Sequence, residues 1–393
     1  MITVADKVKN LPAYVFSEFQ HKKAELERKG VDVIDLGIGA PDLPTPDFVY
    51  ERLVLEAKNP ANHRYSPYSG CSEFKEAVAE FYKKQYDVDL DPDKEILALI
   101  GSKEGIANLF QAVLNPGDAV FVPDPGYPIY TKGVLLAGGE SILLPLHQEA
   151  GYIPQFGRIS KKNKQRAKIL LLNYPSNPLG ATIELNTFKE AATFSKNNNI
   201  LLVNDAAYDL ITFDDYKAPS VLQVPGAKDL AVEFGSLSKS FNMTGWRIGY
   251  VVGNKNIIKA LTTLKSNIDS SQFLAVQKAA ATALRSDLAA VREHNAIYQE
   301  RMERLHTALN ELGIYTEKTR GTIFLWAKVP AGFTSKRFAN KLLEEAGVIV
   351  TPGTAFGPTG EGYIRIALTV STARLDEVVH RLRELRLKGE YGS

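Results

Sequence analysis

One cysteine, three methionines and two tryptophans among 393 residues exclude several kinds of protein at once. Cys71 has no second cysteine in its chain, so no internal disulfide can form, and the expected setting is a reducing one, the cytoplasm by default. Charge of one sign is not in excess. Lysine and arginine number 47 against 45 acidic residues, a net +2 that marks no nucleic-acid or anionic-lipid surface and points to a small-molecule partner. No apolar run reaches the roughly 18 residues that span a bilayer, and "MITVADKVKNLPAYVF" at the start has no apolar leader core. The six histidines, at 21, 63, 147, 294, 306 and 380, lack metal-ligand spacing. Repeats and low-complexity tracts are absent too.

What is present is alternation. Short apolar runs, "EILALIG" (95–101), "DAVFVP" (118–123), "AKILLLN" (167–173), "ILLVND" (200–205), "LAVEFGS" (230–236) and "WRIGYVVGN" (246–254), are separated by helix-like stretches such as 102–114 and 184–196. Continuous apolar strands between helices predict a mainly parallel sheet covered on both faces, an α/β fold. Beyond about residue 283 the character changes. A long helix over 290–313, a strand pair near "YTEKTRGTIFLWAKV", a helix near 335–346, "GVIVTPG", "GYIRIALTV" and a closing helix over 372–385 predict a smaller α+β unit. The expected division is a large domain, 46–284, and a small one made of 1–45 and 285–393.

Polar residues cluster just after the apolar runs: Asp124, Tyr127, Asn173, Asn177, Asp205, Tyr208, Ser236, Ser238 and Lys239. In open α/β sheets that edge is where ligands bind. The stretch "SLSKSFNMTGWRIGY" (236–250) sharpens the point. Most lysines are solvated, but Lys239 follows a buried strand among small residues, where a lowered pKa lets an amine form a Schiff base with an aldehyde. Pyridoxal phosphate is the common aldehyde cofactor. It needs phosphate donors, which Arg247, Ser236, Ser238 and the helix start at "GSKEG" (101–105) could supply. It also needs a carboxylate against its ring nitrogen, for which Asp205 is the residue type required, and flat or hydrogen-bonding neighbours such as Tyr127, Tyr208 and Asn177.

Together "SLSKSFNMTGWRIGY", "NYPSNPLG", "LLVNDAAYDL" and "GYIRIALTV" resemble the fold-type I, class I/II aminotransferases, and the resemblance runs from "IDLGIGAPDLPTP" to the last helix. It implies a pyridoxal-phosphate enzyme moving an amino group between an L-amino acid and a 2-oxo acid, with glutamate and 2-oxoglutarate as one pair. By that resemblance Lys239 would hold the cofactor and carry the proton. Asp205 would pair with the ring nitrogen, Asn177 and Tyr208 with the ring hydroxyl, and Tyr127 would stack on the ring. Ser102, Lys103, Ser236, Ser238 and Arg247 would surround the phosphate, Lys103 through its backbone because the family more often has a small or amide residue there. Arg365 would clamp the substrate carboxylate, with Gly39 in the same pocket. Tyr65 and the region of Asn267 would reach a neighbouring subunit's site, implying a homodimer. "LPAYVFSEF", "HRYSPYSG" and "LKSNIDSSQF" resemble the LL-diaminopimelate aminotransferase branch, in which Tyr14 and Asn267 would approach the substrate.

Competing readings are weaker. "LGIGAPDL" offers Gly37 and Gly39 but has Asp42 where a dinucleotide fingerprint needs its third glycine. Alanine, aspartate and aromatic aminotransferases share the motifs. A C–S lyase of this fold usually has proline where Leu237 stands and lacks "TGWRIG". A regulator using the fold as a sensor needs an N-terminal DNA-binding module, and "IDLGIG" already begins at residue 34.

Overall fold

In the strand Ala167–Leu172, Ile169 and Leu171 enter one buried cluster while Leu170 and Leu172 enter another. That period of two is what a sheet buried on both faces produces. The computed structural model describes residues 3–11 and 15–385. Its strands are β1 (Ile34–Asp35), β2 (Ile96–Leu99), β3 (Ala119–Asp124), β4 (Glu140–Pro145), β5 (Ala167–Leu172), β6 (Leu201–Asp205), β7 (Ala231–Ser236), β8 (Gly249–Gly253), β9 (Phe324–Lys328), β10 (Val348–Ile349), β11 (Thr351–Pro352) and β12 (Tyr363–Ala367).

Seven of them form the main sheet in the order β2-β8-β7-β6-β5-β3-β4. β3, β4, β5, β6 and β7 pair in parallel, while β8 runs antiparallel to both of its neighbours. The fold is α/β, as expected. One face is covered by the helices Ser102–Val113, Ile129–Leu136 and Lys255–Lys265, the other by Ser72–Tyr86, Leu185–Asn198 and Leu274–Arg285. The reversal of β8 matters for the site. It sets Gly249 beside both Leu99 and Ser236, so the start of β8 lies at the same edge as the ends of β2 and β7.

A separate core gathers residues from both chain ends. Ile34 and Leu36 join Met302, Leu305 and Leu309 from the helix Ala289–Glu311, Phe338 and Leu342 from Ser335–Ala346, and Val378 from Thr372–Glu384. β1 pairs with β10, and β12 lies between β11 and β9. Two expectations need correction here. The strand pair near 315–329 is the single strand β9, touched by one bridge between Thr316 and Ala327, because Gly321 bridges back to Thr212 instead. "GVIVTPG" is divided between two sheets as β10 and β11. β4 is not among the expected strands: its apolar stretch, Ile142, Leu143 and Leu144, is short and lies on a half-exposed edge strand.

Candidate active site

Strand ends from the main sheet and residues of the second core meet around a cavity of about 610 Å³. Lys239 follows β7 in a single helical turn, Leu237–Ser240. Its amine donates to the Gly39 carbonyl oxygen at 2.6 Å and lies 6.0 Å from the centre of the Tyr208 ring. Burial pushes this amine down to about 8, helped by the charges of Arg365 and Arg247. Near neutrality a useful fraction is therefore unprotonated and able to act as base or nucleophile.

Asp205 closes β6 and is buried. The Tyr130 hydroxyl donates to its Oδ2 at 2.8 Å and the Ala207 N–H to its Oδ1 at 3.3 Å. Burial pushes the carboxyl up to about 6, against the pull of those two bonds. Both donors are neutral, so the ionised carboxylate still gains from a cation set beside it. Tyr208 is buried with its ring edge-on to Phe324 at 5.6 Å, and burial pushes its hydroxyl well up. Tyr127 lines the cavity and meets the Tyr130 ring edge-on at 5.8 Å.

A cup suited to an anion forms where β2, β7 and β8 come together. β2 leads through Gly101 into the helix Ser102–Val113, whose first N–H groups have no partner within the helix. Ser102, Lys103, Ser236, Ser238 and Arg247 all line the cavity. Gly101 has φ +84°, and a Cβ there would come within 2.3 Å of Arg247 Nη2, so only glycine lets the guanidinium lie on this turn. Arg247 is itself left-handed, with φ 56°, and its Nη1 donates to the Thr244 carbonyl oxygen at 2.8 Å.

Arg365 reaches the cavity from β12. Its Nη1 donates to Asn177 Oδ1 at 2.8 Å and its Nη2 to the Gly37 carbonyl oxygen at 2.6 Å, with Cζ 4.2 Å from the Phe324 ring centre. Because arginine only donates, this bond fixes which end of the Asn177 amide is oxygen. Asn173 Oδ1 accepts the Asn177 N–H at 2.9 Å while its Nδ2 donates to the Asp205 carbonyl oxygen at 2.7 Å. Arg365, Asn177, Asn173 and Asp205 are thus joined in one chain of bonds. Gly39 packs so closely that a Cβ would stand 2.3 Å from Phe324 Cζ.

Three residues singled out in the sequence lie outside this cavity, and a fourth is not described. Tyr65 is 92% exposed, outside its own chain's cavity. Asn267 follows the helix Lys255–Lys265, bonds back to the Thr263 carbonyl oxygen at 2.8 Å and borders a separate surface groove. Asp124 faces away from the cavity and accepts the Thr359 N–H, so its place at a strand end was misleading. Tyr14 lies outside the described residues. Conversely, sequence reasoning passed over Tyr130, Thr244 and Phe324, and gave Asn173 no role.

The groups suit a flat molecule bearing an aldehyde, a basic ring nitrogen and a phosphate. The amine is near its titration point, the buried carboxylate favours a cation, and a Cβ on Gly101 would collide with the guanidinium that lines the cup. Comparison with known proteins agrees. A family model described as aminotransferase class I and II matches residues 31–382. An LL-diaminopimelate aminotransferase of Moorella thermoacetica is 48% identical over 387 residues, covering 98% of this chain and 99% of that protein. One from Aquifex aeolicus is 46% identical over 387 residues, covering 98% and 100%. A substrate-bound structure of BacF from Bacillus subtilis superposes with a TM-score of 0.95 at 39% identity, covering 100% of both chains. A mutant aspartate aminotransferase of Thermus thermophilus gives 0.92 at 30% identity, covering 98% and 100%.

Proposed function

The chain belongs to the class I and II aminotransferases, and on that premise we propose that its physiological substrate is LL-diaminopimelate, with 2-oxoglutarate and glutamate as the second pair. It is a pyridoxal-phosphate-dependent transaminase acting between an amino acid and a 2-oxo acid. What supports the substrate is the run of relatives bearing that name at 42–48% identity over nearly the full chain. In this reading the protein is a cytoplasmic homodimer. Residues 46–284 form the cofactor-binding domain, while 1–45 and 285–393 form the small one.

The single observation carrying the site assignment is the meeting of Lys239, Asp205 and Arg247 in one cavity. When bound, the cofactor supplies an electron sink for the pair left on Cα. Lys239 would hold it until the substrate's amino group displaces the lysine, and the freed amine would then take the Cα proton and return it to the cofactor carbon within the same half-reaction. Asp205, kept in place by Tyr130, faces the ring nitrogen and stabilises its protonated form. Asn177 and Tyr208 bind the ring hydroxyl, and Tyr127 stacks on the ring. Ser102, Lys103, Ser236, Ser238 and Arg247 bind the phosphate. Arg365 fixes the substrate carboxylate, with Gly39 lining the same pocket and letting the Phe324 ring pack against it. Tyr65 and Asn267 serve the partner subunit's site, and Tyr14 the substrate.

The test is the visible absorbance of the purified protein during addition of LL-diaminopimelate, glutamate, alanine, aspartate and phenylalanine in turn. Bleaching by LL-diaminopimelate at the lowest concentration, reversed by 2-oxoglutarate, is the expected result. Tighter response to another donor moves the substrate to that amino acid. Release of pyruvate and sulfide from cysteine without bleaching would favour a lyase.

A further inference from the structure

Gln277 is fully buried and lies outside the cavity, yet every polar atom of its side chain is engaged. Its oxygen accepts the Cys71 N–H at 2.7 Å, and its NH2 group donates to Ser66 Oγ at 2.7 Å and to the Gln272 carbonyl oxygen at 2.8 Å. Gln272, seated in this way, turns its own NH2 group to two main-chain oxygens, those of Leu99 at 2.6 Å and Arg247 at 3.2 Å. A second support acts on the turn before it. Ser271 is left-handed, with φ 61°, and its N–H is held at 2.8 Å by Asp269, whose two oxygens each lie 2.7 Å from the buried Lys265 amine.

Leu99 and Arg247 flank the anion cup. Leu99 ends β2, just ahead of Gly101, and Arg247 precedes β8. The left-handed backbone of Arg247 is unfavourable for a residue with a Cβ and persists only where its surroundings over-determine it. Gln272 is a surrounding group that does so, since one amide bonds both sides of the cup at once. A fully satisfied polar network of this kind specifies geometry, because each lost bond leaves a partner unpaired.

We propose that Gln272, seated by Gln277, is a positioning residue for the cofactor's phosphate: it holds the Arg247 main chain so that the guanidinium stays over Gly101. This rests on the phosphate reading of the cup given above. The test uses the full chain freed of cofactor and titrated, by protein fluorescence, with pyridoxal phosphate and separately with pyridoxal. Gln272→Met and Gln272→Glu should each weaken pyridoxal phosphate about tenfold while leaving pyridoxal within about twofold. The glutamate, setting an oxygen against two carbonyls, should lose at least as much. The ratio of the two affinities is read on one protein, so a general loss of stability does not change it. An unchanged ratio in both variants overturns the proposal. Arg247→Ala separates the two levels. If it lowers the ratio and the Gln272 variants do not, the positioning role alone falls; if it leaves the ratio unchanged, the phosphate reading falls with it.

Discussion

Burial drives Lys239 and Asp205 toward their neutral forms from opposite ends of the pH scale. For the lysine, the folded value of about 8 lies below the ordinary 10.5, so between those values the unfolded chain binds more protons and the cofactor-free protein gains stability as pH rises. The same shift sets reactivity. Capture of pyridoxal phosphate by the cofactor-free protein should speed up about tenfold per pH unit below 8 and level off above it, as stopped-flow absorbance would measure. A capture rate flat from pH 6 to 9 would contradict the assignment. Lys239→Ala should abolish turnover. For Asp205 the folded value of about 6 lies above 3.8, so stability falls as pH rises through that window. Asp205→Asn should therefore stabilise the cofactor-free protein at pH 7 by about 1–3 kcal/mol in thermal melts. The loaded enzyme should slow by at least about a hundredfold. Arg365→Lys keeps the charge but loses the planar fork, so KM for every amino acid should rise about tenfold or more. Residues of this kind were legible because chemistry dictates their type and the strand ends dictate their place. Tyr130 was not, since nothing in "PGYPIY" says which tyrosine meets a carboxylate 75 positions away.

Elements were legible where both faces of a strand are buried. β3, β5 and β6 stand out as apolar runs and β7 as one interrupted only by the buried Glu233, whereas β4, whose apolar stretch is the partly exposed Ile142, Leu143 and Leu144, does not. Periodicity also failed at 315–323, where two single bridges, Thr212 with Gly321 and Thr316 with Ala327, replace a ladder. The turn from β2 into the helix Ser102–Val113 shows how little an element's start tolerates. Gly101→Ala combines a positive φ with a contact on Arg247, and should cost about 1–3 kcal/mol of local strain. Equilibrium dialysis should show weakened pyridoxal phosphate affinity. An alanine variant that binds like the parent would mean the guanidinium does not sit on this turn.

At the scale of the molecule, the helix Asp47–Ala57 exposes Tyr50, Val54 and Leu55 and packs on Leu274–Arg285, next to which Phe273 is also exposed. Exposed apolar groups so concentrated are what the proposed homodimer would bury. If the protein is the homodimer proposed above, Tyr50→Glu with Leu55→Glu should give a monomer in sedimentation velocity and reduce turnover, because the proposed reach of Tyr65 and Asn267 into a partner's site would be lost. Unchanged sedimentation would exclude this face as the proposed association surface. Association was read from resemblance alone; no residue in a single chain announces its partner. One feature of the sheet reaches further, into the order in which the molecule is made. Because β8 is reversed, Lys239 and Arg247 are brought together by closing a loop of only a few residues, which costs little chain entropy. Arg365 must return from roughly 125 residues further on to complete the same cavity, a much later closure on the ribosome and in refolding alike. A chain stalled between the two would already hold the lysine and the anion cup but not the substrate clamp: a nascent protein able to take up its cofactor before it can use it.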